Sequence, residues 1–199
     1  MTVHPDWDVM YNADQPPPWD IGRPQPAFAR LADHGLLSGA LLDPGCGTGE
    51  TALLAAAYGA DVLGLDVSPT AVERARGKAA ERGLTARFEV GDAANLAELA
   101  ATFDTVVDSG LFHVFYDELQ ASYVTGLASV LRPGGCCYLL CFSDRQPGEL
   151  GPRRISRDDL EASFATGWTI DDVVADTFLV NRGSGIEVAQ AWLATIRRL

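Results

Sequence analysis

Positive charge is scarce in this chain: 15 Lys and Arg stand against 27 Asp and Glu, a formal net charge of −12 over 199 residues. The basic residues are scattered, apart from the pairs Arg153-Arg154 and Arg197-Arg198, so no stripe exists to neutralise a phosphate backbone. Neither nucleic acid nor an anionic membrane surface is therefore expected as a partner. No run approaches the roughly 20 apolar residues needed to cross a bilayer, and no basic N-terminal segment precedes an apolar run of signal-peptide length. A cytoplasmic protein is expected. Paired CxxC spacing is missing too: Cys46, Cys136, Cys137 and Cys141 match neither a structural zinc site nor a thioredoxin-like redox motif. No metal is expected, and Cys137 and Cys141, which share one face of a strand, read as small buried hydrophobes.

What the chain does have is apolar residues, 47% of the total, enough for the core of one domain. From residue 40 onward, short apolar runs alternate with longer helical patterns, the mark of βα units around a mostly parallel sheet. "ALLD" (40–43), "DVLGLDV" (61–67), "ARFEVGD" (86–92), "FDTVVDSG" (103–110) and "CCYLLCF" (136–142) read as strands. Helices are expected at "TALLAAAYGA", over 69–82 with Ser68 as cap, Pro69 in the first turn and Gly83 as stop, and from about 117 to 131 before Pro133-Gly134-Gly135. "SRDD" (156–159) resembles a capping box with Asp in the reciprocal position. "WTIDDVVADTFLV" and "GIEVAQAWLATIRRL" read as an antiparallel pair closing the sheet, with helix as the alternative for the second. Residues 1–39 differ: "PPPWDIGRPQP" (16–26) carries five prolines and implies a rigid, aromatic-bearing arm, followed by a short helix over 27–34. The arm and the domain over 40–199 are expected to form one structural unit. Its fold class is α/β, a mostly parallel sheet with the antiparallel pair at its end.

The functional signal begins at "LLDPGCGTGE" (41–50), a glycine-rich turn that follows a strand and opens a helix. It has no P-loop lysine, which argues against triphosphate chemistry, and its glycines lack the G-x-G-x-x-G spacing of a dinucleotide fingerprint. Asp66 in "LGLDVSP", about 20 residues on, is placed to accept hydrogen bonds from ribose hydroxyls. Asp92 in "VGDAANL" ends the third strand, where an acid and the following N–H can read an adenine edge. All three markers lie at the carboxyl ends of parallel strands, the ligand-binding edge of open α/β sheets.

With "FDTVVDSGLFH" and "LRPGG" added, the order and spacing of these motifs resemble the class I S-adenosylmethionine-dependent methyltransferases from about residue 40 to the end. The resemblance implies a Rossmann-like seven-stranded sheet with helices on both faces and an antiparallel last strand. It also implies S-adenosyl-L-methionine as cofactor, held by Asp43, Gly45, Cys46 and Gly47 near the methionine moiety. Asp66, Val67 and Ser68 would lie at the ribose, Asp92 and Ala93 at the adenine, and Asp108 at the end of the fourth strand. Pro44 departs from the pattern by removing a backbone donor, so the rest of the loop must supply N–H groups. The arm also resembles the leading segment of the small-molecule branch of thiol, thiopurine, halide and heterocycle methyltransferases. On that resemblance Tyr11 and Trp19, with Trp7 beside them, enclose the cofactor's sulfonium by cation–π attraction; Trp7 also borders the substrate, and Arg23 orients an anionic substrate group or the cofactor carboxylate. Ser109, at the end of the fourth strand, and Phe112, Phe115 and Tyr116 after it are candidates for the substrate pocket, with ordinary core packing as the alternative for the aromatics. His113, the one histidine near the inferred chemistry, is the candidate general base, with packing against the sheet as the alternative. The expected reaction is methyl transfer to a small nucleophile, a thiol ahead of a phenol or heteroaromatic amine. A nicotinamide-dependent oxidoreductase and a non-catalytic cofactor-binding module are the competing readings, and the oligomeric state is left open.

Overall fold

The computed structural model describes residues 6–181 and 185–199. Seven strands form one sheet: β1 (Ala40–Pro44), β2 (Asp61–Asp66), β3 (Arg87–Val90), β4 (Phe103–Ser109), β5 (Leu131–Phe142), β6 (Trp168–Leu179) and β7 (Val188–Arg198), in the order β3-β2-β1-β4-β5-β7-β6. β1 to β5 run parallel, and β7 lies antiparallel to both β5 and β6. Among the described residues six α-helices accompany them: α1 (Trp7–Asn12), α2 (Pro26–Asp33), α3 (Glu50–Ala57), α4 (Pro69–Arg82), α5 (Asp117–Val130) and α6 (Arg157–Ser163). None of the described helices is long and apolar enough to cross a membrane.

Strand periodicity divides the core into two layers. Leu41, Val107 and Leu140 point toward α2, α3 and α4, whereas their neighbours Leu42, Val106 and Leu139 point toward α5 and α6. Cys137 and Cys141 are buried together on the α5 side, as their spacing requires, and all four cysteines are free thiols. The segment over 188–198 is a strand despite its alanines, because alternate residues fill a sheet position buried on both faces.

Local signals set the helix ends. The Ser68 hydroxyl accepts the N–H of Ala71, and Gly83 ends α4 with φ +63°, a left-handed conformation that costs glycine least. Asp159 does complete the capping box: its carboxylate accepts the N–H of Ser156 at 2.8 Å while the Ser156 hydroxyl accepts the N–H of Asp159. Two expectations need correction. β5 starts at Leu131 rather than Cys136, because Phe103 pairs with Leu131 and Thr105 with Cys136, leaving 132–135 as a bulge opposite Asp104 that absorbs Pro133-Gly134-Gly135. The arm also holds a helix, α1, docked on α4: Asp8 accepts the Ser68 hydroxyl at 2.5 Å and the Thr70 N–H at 3.0 Å.

Candidate active site

The strand order reverses between β1 and β4, and a cavity of about 920 Å³ opens there at the carboxyl ends of the strands. The arm lies across it. Asp20 accepts the Thr48 hydroxyl at 3.0 Å, the Asn181 amide donates to the carbonyls of Pro17 and Asp20, and Gln25 exchanges two hydrogen bonds with the Leu179 backbone. Trp7, Tyr11 and Trp19 form one aromatic cluster: Trp7 and Trp19 meet edge-to-face at 5.5 Å, and Trp19 Nε1–H donates to the Tyr11 hydroxyl at 2.9 Å. That hydroxyl sits over the glycine loop, where a Cβ on Gly47 would come within 2.7 Å of it.

The glycine loop is organised from inside. The N–H groups of Gly45 and Cys46 donate to the Leu65 carbonyl, and that of Gly47 donates to Asp66 at 2.8 Å. The expectation that these groups supply donors to the cofactor is therefore corrected: they fold the loop. What the loop presents is charge. Asp43 is 1% exposed; the N–H of Ala52 bonds its carboxylate, yet Oδ2 has no partner. Burial, then the nearby charges of Asp108 and Asp66, push its pKa well above the usual carboxylate range. Burial also raises Asp66, although the N–H groups of Ser68 and Gly47 oppose the shift. An orphaned carboxylate oxygen among buried acids is a site short of a cation. A ligand carrying a sulfonium and an α-ammonium satisfies that need, so the residues present fit S-adenosylmethionine.

Fourteen of the expected cofactor and substrate residues line this one cavity: Trp7, Tyr11, Trp19, Arg23, Asp43, Gly45, Cys46, Gly47, Asp66, Val67, Asp92, Ala93, Ser109 and Tyr116. So does His113. Three others face elsewhere. The Ser68 hydroxyl caps α4 and bonds Asp8. Asp108 is enclosed, its carboxylate accepting the N–H groups of Leu111 and Phe112 and the Tyr123 hydroxyl; burial still raises its pKa to about 6. It holds the turn after β4 rather than a ligand. Phe112 is fully buried against Phe164 at 5.8 Å and belongs to the core.

His113 is placed at the cavity but cannot do what was expected of it. The Phe142 backbone N–H donates to its Nδ1 at 2.9 Å, which leaves the proton of the neutral ring on Nε2. Burial, with Arg154 beside it, lowers the imidazole pKa to about 3. Neither nitrogen has a lone pair free to take a substrate proton, so the general-base role is corrected. Sequence reasoning missed Phe142, Phe178 and Val180, which close the cavity from β5 and β6. They come from distant segments with no local motif, and only the antiparallel pairing brings them there.

A family model described as a methyltransferase domain matches residues 41–135. The 2-heptyl-1-hydroxyquinolin-4(1H)-one methyltransferase of Mycobacteroides abscessus is 38% identical over 174 residues, 86% of this chain and 76% of that protein. A probable thiol methyltransferase of Arabidopsis thaliana is 29% identical over 94% of this chain and 83% of its own. A protein solved in connection with the conversion of a disulfide bond into a thioacetal group during echinomycin biosynthesis shares 41% identity. It superposes with a TM-score of 0.86 over 96% of this chain and 91% of that one. An acidic, cation-seeking cavity at the switch point of a seven-stranded sheet, together with a relative of this identity and coverage, leads to one conclusion: the chain belongs to the class I S-adenosylmethionine-dependent methyltransferases.

Proposed function

We propose that this enzyme methylates a small, largely apolar nucleophile that arrives with its lone pair free, a thiol sulfur ahead of a phenol or heteroaromatic amine. The observation that carries this reading is the wall after β4, β5 and β6. Among the described residues it offers Ser109, His113, Tyr116 and apolar side chains to the cavity, with no carboxylate and no imidazole nitrogen whose lone pair is free to act as base. A nucleophile that must lose a proton in the site finds little help there, whereas a thiol ionises readily near neutral pH.

The cofactor supplies a methyl group activated on its sulfonium. The chain's part is to hold and shield: Asp43 meets positive charge, Asp66 and Asp92 take the nucleoside end, and Tyr11, Trp7 and Trp19 cover the opening. Positioning of this kind contributes on the order of 7 kcal/mol or more to such displacements. Arg23, the one cationic side chain lining the cavity among the described residues, is assigned to an anionic group of substrate or cofactor. The sulfur chemistry named for two of the relatives supports the preference for a thiol. A second reading, an acidic N-hydroxyl on a heteroaromatic ring, is favoured by the quinolone-methylating relative. The four free thiols fit a reducing, cytoplasmic setting. Family membership sets aside the nicotinamide and non-catalytic alternatives.

The test is a panel of aryl thiols, phenols, N-hydroxyquinolones and heteroaromatic amines, read as S-adenosylhomocysteine formed. Aryl thiols are expected to turn over fastest. A panel in which the N-hydroxyquinolones exceed every thiol replaces the first reading with the second.

A further inference from the structure

We propose that His113 is a substrate-selecting hydrogen-bond donor, its Nε2–H aimed into the cavity to take a carbonyl or similar neutral acceptor on the nucleophile. The proposal rests on the small-molecule methyltransferase reading and adds the polar feature that the substrate must carry.

The argument starts from a backbone amide. Histidine tautomers are usually assigned rather than observed, but here the partner decides. A backbone N–H can only donate, so the 2.9 Å contact from Phe142 N to Nδ1 requires a bare Nδ1 and puts the proton on Nε2. Turning the ring over would leave the Phe142 N–H without its acceptor in a buried strand end. Packing opposes the turn as well: Phe142 meets the imidazole edge-on at 5.2 Å, and Phe178 lies at 6.0 Å.

The exposed nitrogen is just as constrained. His113 is 4% exposed and lines the cavity; Nε2 makes no hydrogen bond among the described residues, yet it is not one of the fully enclosed orphan atoms. The open side of the ring therefore faces the cavity. Gly110 preserves that opening, since a Cβ there would stand 3.2 Å from Nε2. Phe142 and Phe178 pack against the ring, and Leu111 and Val114 line the same cavity; none of the four can pair with an N–H through its side chain.

Burial, and Arg154 after it, keep the donor neutral. The Arg154 guanidinium is fixed over the Phe142 ring at 5.4 Å by the carbonyls of Gln146, Gly148, Leu150 and Pro152, so a second positive charge on the imidazole is disfavoured. A neutral donor in an apolar wall discriminates strongly, because a ligand lacking the acceptor leaves the N–H unpaired when it displaces water. It also avoids the charge that would compete with the cofactor for the acids across the cavity.

Two probes differ mainly in that acceptor: methyl thiosalicylate, with an ester carbonyl beside its thiol, and 2-ethylthiophenol, without one. The enzyme is labelled with nitrogen-15 at histidine and loaded with S-adenosylhomocysteine. The His113 signals are assigned by their loss in His113→Phe or, should that variant not fold, by elimination with His4→Gln and His34→Gln. The expected spectrum at neutral pH shows Nε2 protonated and Nδ1 bare, with the Nε2 signal moved by the ester and not by the ethyl compound. In turnover, kcat/KM should favour the ester about tenfold in the parent enzyme and not at all in His113→Phe. A proton on Nδ1, or an Nε2 signal that the ester leaves in place, overturns the proposal. If the ester moves the signal but neither thiol is methylated, the donor stands and the preference for thiols falls.

Discussion

The wall of the cavity that follows β1, β2 and β3 presents Asp43, Asp66 and Asp92, whereas the wall that follows β4, β5 and β6 presents aromatic and aliphatic side chains around one neutral histidine. The first wall is built to be incomplete: Asp43 Oδ2 is buried without a partner, and burial raises both Asp43 and Asp66. The second wall is apolar apart from the His113 N–H and the hydroxyls of Ser109 and Tyr116. On the proposed reading charge selects the cofactor, while shape and the His113 hydrogen bond select the substrate. The two walls should respond to opposite perturbations.

The largest expected effect comes from neutralising the first wall. Asp43→Asn keeps the side chain's shape and removes its charge, so cofactor affinity should fall by about 2–3 kcal/mol, on the order of a hundredfold. The ligand-free protein should melt at nearly the same temperature, because burial already favours the neutral Asp43 carboxyl in the free site and the amide is neutral too. Loss of affinity without loss of thermal stability separates this role from general damage; loss of both would make Asp43 structural. The pH dependence follows from the same shifts. A carboxyl raised in the free site must ionise to meet a cation, so binding releases a proton and tightens as pH rises through the raised value. The free protein runs the other way. An acid with a raised folded pKa contributes most to stability below its unfolded value and loses that contribution as pH climbs. For Asp108 the window runs from its ordinary 3.8 to about 6. Calorimetry in two buffers of different ionisation heat reads the released proton directly.

A smaller effect tests how the arm meets the first wall. Gly47 has φ +53°, and a methyl group there would approach the Tyr11 hydroxyl to 2.7 Å. Gly47→Ala should weaken cofactor binding and loosen the arm, with about 1–2 kcal/mol from the left-handed backbone alone. Removing the opposing oxygen should leave only that backbone part, since the next Tyr11 atom stands at 3.7 Å. Gly47→Ala made in a Tyr11→Phe background should therefore cost less than in the parent. Equal costs in the two backgrounds would mean that the arm does not rest on the loop through this contact.

The two walls were also unequally legible. "DPGCGTGE", "LDVSP" and "GDAANL" each carry their chemistry within a few consecutive residues at a strand end, so spacing alone placed Asp43, Asp66 and Asp92 together. Where the sequence misled, a turn had competed with the ligand for a side chain. Ser68 caps α4, and Asp108 binds the N–H groups of the turn that follows it; a strand-end position does not reveal which way such a group points. Phe112 begins a 3₁₀ turn too short for any periodicity, and its burial follows from Phe164, some fifty residues away. Helix α1 was illegible for a related reason: six residues cannot sustain a helix alone, and Asp8 secures this one from α4. The second wall depends on the register of β5, β7 and β6, which no short motif encodes. His113 was visible as a residue, but its protonation state was set by an amide 29 positions away.

The smallest expected effect concerns the cover shared by both walls. Trp19→Phe keeps an aromatic ring beside Trp7 and Tyr11 but removes the Nε1–H that the Tyr11 hydroxyl accepts, a bond of about 1 kcal/mol. If the aromatic cluster closes the cavity, S-adenosylhomocysteine should dissociate up to roughly fivefold faster with little change in its association rate, because the bond acts after the arm has closed. The substitution leaves Asp43, Asp66 and His113 untouched, so the preference between nucleophiles should not move. Stopped-flow measurement of both rates decides the matter. An unchanged dissociation rate would assign closure to the bonds from Asp8, Asp20 and Asn181, which tie the arm to α4, to the glycine loop and to the end of β6.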